Sequence, residues 1–67
     1  MMTKEELKTS GESIRRMREE TGLSRKAFCD KYGIPYRTMQ DWEDGKSRPV
    51  AWAEKLLRRA VAEDFPQ

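Results

Sequence analysis

Histidine is absent from the 67 residues, and cysteine occurs once, as Cys29. Those two scarcities exclude a disulfide framework, a Cys/His zinc site and histidine acid–base chemistry. No metal or cofactor is expected. No apolar run approaches the roughly 18 residues that a membrane span needs. The opening MMTKEELKTS lacks the apolar stretch of a signal peptide. A reducing cytoplasm is the expected compartment, with Cys29 as a small buried side chain. Strong aliphatics are also scarce, since Leu, Ile, Val and Phe together make up ten of 67 residues. Such a share signals disorder only when net charge is high, and here it is +2. Trp42, Trp52, Tyr32, Tyr36, Met17 and Met39 add large side chains to the burial capacity. One folded domain of modest stability is expected.

Strands are missing as well, because no stretch alternates apolar and polar residues over five positions. What is present reads as helices. Ile14 and Met17 mark the first, with Thr9 and Glu12, or Ser10, as its start and Gly22 as its stop. Thr3 and Glu6 form a second possible capping box ahead of Leu7. Because Ser10-Gly11 interrupts the pattern, residues 1–10 are expected to be an arm or a short helix ahead of a domain over 11–63. A second helix opens at the N-cap Ser24, places Phe28 and Tyr32 on one face, and stops at Gly33. A third, expected over 35–44, buries Met39 and Trp42 and ends at Asp44-Gly45. A last helix spans 49–63, leaving 64–67 as a tail.

The connection between the second and third helices is the informative one. Two helices joined by three or four residues including a glycine cross steeply, as in a helix-turn-helix. Cys29 is small where they approach, Gly33 suits a left-handed turn, and Ile34 fills the space beneath. The fold class that follows is all-α, a bundle of four to five helices with the motif over 24–45.

The run GLSRKAFCDKYGIPYRTMQDWEDGKSRP resembles the helix-turn-helix of the lambda-repressor and Cro-like regulators, also called the xenobiotic-response-element type. The resemblance covers about Ile14 to Val61. Its most specific parts are Gly22-Leu23-Ser24, Gly33-Ile34 and the Trp42-Glu43-x-Gly45-Lys46 run. It implies a lambda-repressor-like bundle, a sequence-specific double-stranded DNA-binding function, and a bacterial or phage repressor of transcription. It further implies that Glu43 pairs with Arg18 as a structural tie between the first and third helices. A guanidinium beside the buried stripe needs such a carboxylate.

Charge agrees in sign. Residues 1–23 and 49–67 are each balanced, whereas 24–48 hold six basic and four acidic side chains. The net positive charge therefore sits where phosphate would be attracted. With Met39 and Trp42 turned inward, Tyr36, Arg37, Gln40 and Asp41 are left to face outward. Arg37 suits guanine O6 and N7, Gln40 suits adenine N6 and N7, and Asp41 suits cytosine N4 or the orientation of Arg37. Tyr36 and Thr38 suit a thymine methyl or a phosphate. Arg25 stands where the family anchors a phosphate, although the family usually has Gln there, so this chain adds charge and loses an acceptor. Lys46, Ser47 and Arg48 are expected on the opposite phosphate wall.

On the last helix, Val50, Ala53, Leu57, Ala60 and Val61 form one apolar stripe, with Trp52 and Leu56 beside it. A second stripe suits a homodimer interface around Trp52, Leu56 and Arg59, as the family commonly dimerises through C-terminal helices on an inverted-repeat operator. The family's usual two short C-terminal helices are here one helix. The competing reading is a protein-interaction module, such as an antitoxin, that keeps the fold and binds a partner protein. An enzyme is not expected, since no nucleophile is placed beside a base.

Overall fold

The computed structural model describes residues 2–66 and contains four helices: α1 (Lys4–Thr21), α2 (Arg25–Tyr32), α3 (Tyr36–Glu43) and α4 (Ala51–Asp64). There is no strand among the described residues. The protein is a small all-α bundle, as its patterning predicts.

Local chemistry sets the helix ends. The Thr3 side chain accepts from the Glu6 amide at 3.1 Å, and the Ser24 hydroxyl accepts from the Ala27 amide at 3.1 Å. Each satisfies one of the amides a helix start leaves without a partner. Gly22 and Gly33 close α1 and α2 with φ of 77° and 67°, in the left-handed region where a Cβ is penalised. The Ile34 amide then donates to the Cys29 carbonyl at 3.0 Å, turning the chain sharply toward Pro35 and α3. Pro35 caps α3 rather than beginning it, so that helix is shorter at both ends than the expected 35–44. Likewise α4 begins two residues beyond Pro49 and ends one beyond Glu63, so Asp64 of the expected 64–67 tail belongs to the helix.

The break expected at Ser10-Gly11 does not occur. α1 is one helix of 18 residues that starts at the Thr3 cap, so residues 4–10 are neither an arm nor a separate turn. Gly11 is buried for a tertiary reason. A Cβ built there would lie 2.5 Å from the Trp42 carbonyl oxygen and 2.8 Å from that of Glu43. The missing side chain lets α1 rest on the end of α3, and this close crossing sets how α3 is presented.

Ile14, Met17, Phe28, Cys29, Met39 and Val61 form the core, with Leu23, Tyr32, Ile34, Trp42, Leu57 and Phe65 packed around it. Phe28, Ile14 and Met39 are fully buried and lock α1, α2 and α3 together. The Phe28 and Tyr32 rings pack in a tilted pair, 4.9 Å between centroids with 55° between planes, on the one face their four-residue spacing predicts. Val50 departs from its expected place in the apolar stripe. It precedes α4 and is 57% exposed, while Val61 holds the buried end of that stripe.

Candidate nucleic-acid interface

The orientation of α3 is held by a buried charge. Glu43 lies one turn beyond Met39 on the inner face of α3, and its side chain is fully buried. Arg18 meets it with two hydrogen bonds, Nε to Oε2 at 2.8 Å and Nη2 to Oε1 at 3.2 Å. The third donor of Arg18, Nη1, reaches the Leu23 carbonyl at 3.1 Å, so one guanidinium ties α1 to α3 and to the loop before α2. This is the pair expected from the resemblance, in two-pronged geometry.

Two further arginines, not expected from the sequence, converge on the same carboxylate. Arg25 donates from Nη2 to Glu43 Oε1 at 3.2 Å, and Arg15 Nε lies 3.6 Å from the same oxygen. No local pattern announces this, because the three arginines come from two helices and meet only in the folded chain. Burial pushes the Glu43 carboxyl up, but the hydrogen bonds and charge of Arg18, with help from Arg25, outweigh it and hold it below the ordinary value. The hydrogen bond to Glu43 in turn raises Arg18, against the opposing effect of burial.

Arg25 therefore differs from a simple phosphate anchor at a helix start. Its guanidinium is drawn toward Glu43 and also lies over the Tyr36 ring, 5.8 Å from the centroid. It braces the first residue of α3 against the end of the same helix.

The outward face of α3 carries the residues expected there. Tyr36 is 49% exposed, and the Arg37 side chain is 80% exposed. Gln40 and Asp41 are half-buried one turn further along, and Thr38 is half-buried. Arg37 Nε lies 3.5 Å from Asp41 Oδ1, the i, i+4 arrangement in which the carboxylate orients the guanidinium. Beyond α3, the Lys46 and Ser47 amides donate to the Asp41 carbonyl at 2.9 and 3.4 Å, which fixes the loop carrying Lys46, Ser47 and Arg48 to the helix end. Ser47 and Arg48 are exposed, as is Lys46. Arg48 also faces α4, with Nε 3.5 Å from Glu54 Oε1.

On the far side of α3, a shallow groove of about 320 Å³ runs between α3 and α4, lined by Tyr32, Ile34, Trp42 and Leu57. Trp52 and Leu56 form its rim and are 70% and 57% exposed. Arg59, one turn on, is exposed and pairs loosely with Glu63 at 3.7 Å. Cys29 is a buried free thiol whose pKa is raised, chiefly by burial. No group of side chains able to hold a metal ion occurs among the described residues. Among the same residues, no helix is long and apolar enough to cross a membrane. Comparison with protein-family models, with characterised proteins and with solved structures gave no match to this chain.

Proposed function

We propose that this protein is a sequence-specific double-stranded DNA-binding regulator that lays the outward face of α3 into the major groove. The observation that carries this reading is the combination on α3 itself. Its inner face is pinned by Met39 and the arginine-clamped Glu43, while Tyr36 and Arg37 are exposed and Gln40 is half-exposed on the same helix. A short helix whose buried face is so firmly held positions donors well enough to read base edges. The α2–turn–α3 arrangement through Gly33 and the resemblance to Cro-like regulators support the same reading. Arg37 reads guanine and Gln40 adenine, Tyr36 and Thr38 meet a thymine methyl or phosphate, and Asp41 orients Arg37. Lys46, Ser47 and Arg48 position the protein on the backbone. The role is repression in the cytoplasm of a bacterium or phage-infected cell.

The same proposal includes a homodimer through α4. Trp52 projects beside an apolar groove on its own surface, so a two-fold partner seats each Trp52 against the other copy's groove. Leu56 and Arg59 lie on that contact.

The test is fluorescence anisotropy with a selected duplex. Arg37→Ala and Gln40→Ala should each lower specific affinity by roughly 5- to 150-fold, from about 1–3 kcal/mol per base contact, and leave salt-dependent background binding in place. Unchanged affinity in both variants refutes the assignment of α3. The exposed Trp52 and Leu56 favour one second reading, a module that binds a different protein through this groove. In that case Trp52→Ala abolishes binding to the partner and the α3 variants do not.

A further inference from the structure

Resting on the duplex-binding reading above, we propose that α1 supplies a second backbone contact, with Lys4 and Lys8 joining Lys46 to grip phosphates beyond the C-terminal end of α3. Lys4, Lys8 and Arg15 are spaced four and seven apart, which places them within about 40° of one another around the helix. They form one wall of a groove of about 520 Å³ whose other wall is Glu43, Asp44 and Gly45. The two walls touch. A Cβ on Gly45 would sit 3.4 Å from the Lys8 Cα, so the chain that carries Lys46 runs directly against the α1 backbone. The continuous α1 makes this possible, because the residues expected in an arm are instead rigidly mounted beside the loop after α3.

Pairing separates these lysines from most of the other basic residues, and their shared place beside the loop after α3 separates them from the rest. Among the described residues, every arginine except Arg16 has a carboxylate within ion-pair distance, as do Lys26 and Lys31, whereas Lys4, Lys8, Lys46 and Lys55 have none, and Lys55 lies on α4, away from this groove. An ammonium group that makes no internal pair keeps its charge available to an external anion, and lysine meets phosphate as such a point charge. The carboxylates nearby are Glu12 and Asp44 in the same groove, with Glu43 already enclosed by its arginines. Glu5 and Glu6 line a different groove, with Arg48 and Arg58. The even charge balance of residues 1–23 conceals this segregation.

The test compares two double variants with the same change in net charge, both checked for helical content by circular dichroism. Each backbone contact changes the slope of log affinity against log salt by about 0.9. Lys4→Gln with Lys8→Gln should flatten the slope by nearly 2 and weaken binding roughly five- to tenfold per lysine near 0.1 M salt. The ratio of affinities for the selected and a scrambled duplex should not move. Arg16→Gln with Lys55→Gln should leave the slope unchanged. Asp44→Asn, which removes a carboxylate from the groove, should tighten binding to both duplexes. The proposal is overturned if the Lys4/Lys8 variant binds with the wild-type slope, if the Arg16/Lys55 variant flattens it equally, or if the duplex ratio falls. Absence of any duplex binding by the wild-type protein overturns the parent reading and this proposal with it; wild-type binding with an unaltered Lys4/Lys8 slope overturns this proposal alone.

Discussion

Gly11→Ala separates helix propensity from packing, because the two point in opposite directions. In an exposed helix interior the change stabilises by about 0.8–1 kcal/mol. At this position the new Cβ lands 2.5 and 2.8 Å from two backbone carbonyl oxygens, those of Trp42 and Glu43. No rotamer relieves such a contact, since the opposing atoms belong to the last turn of α3. Either α1 withdraws, opening the core at Ile14, or α3 tilts and strains the Arg18–Glu43 pair. Overpacking costs typically 1–3 kcal/mol, and contact with backbone on both sides belongs at the upper end. After the propensity gain is subtracted, a net loss of about 2 kcal/mol remains. For a domain of this size that corresponds to a fall in Tm of roughly 8–16 °C. Thermal and urea melts followed by circular dichroism at 222 nm measure it, and an unchanged or higher Tm refutes the close crossing of α1 and α3. Since that crossing presents α3, the folded fraction of the variant should also lose affinity for duplex at low temperature.

Glu43→Gln keeps the shape of the side chain but leaves three arginines facing a neutral amide. Breaking a fully buried pair costs about 3–5 kcal/mol, and because the arginines retain contact with water the expected loss is about 2–3 kcal/mol by urea denaturation. The carboxyl of Glu43 lies below its ordinary value, so its stabilisation is complete above about pH 4.3 and is lost as pH falls through the lower folded value. Wild-type stability should therefore drop below about pH 4.3, and the drop should be shallower in Glu43→Gln. The thiol of Cys29 is buried and its pKa raised, so labelling by a disulfide reagent at pH 8 should be slow and should follow the opening rate in dilute urea. Rapid labelling of the folded protein contradicts the packing of α2. The phenol of Tyr32, whose pKa is pushed up to about 12 by burial and by its hydrogen bond to Asp64, contributes stability that is full below about pH 10 and lost as pH rises through 12. In Tyr32→Phe that alkaline loss should be smaller.

The features that local chemistry controls are legible in the amino-acid sequence. Ser24, Gly22 and Gly33 declare helix ends because a cap or a left-handed turn depends on one residue and its near neighbours, whereas Thr3 is one of several starts the pattern offers for α1, and the fold takes it over Thr9 or Ser10. Phe28 with Tyr32, and the burial of Met39, follow from spacing on a single helix. Gly11 misleads for the opposite reason. Glycine lowers helix propensity, so a local window reads it as a break, whereas here its bare Cα answers carbonyls more than thirty positions away. Arg15 and Arg25 stay hidden for the same reason, since charges that converge on one buried carboxylate carry no spacing signature. On α4 both stripes are visible in the pattern, but which one is covered depends on how the helix docks. The fold leaves Trp52 and Leu56 outside and buries Val61.

That the α3 face reads sequence is the central claim, and selection of duplexes from a random pool by the purified protein at moderate salt tests it most directly. The expected result is an enriched motif, an inverted repeat for the dimer, whose enrichment disappears with Arg37→Ala. A pool that shows no enrichment, with the protein shown folded by circular dichroism, contradicts it.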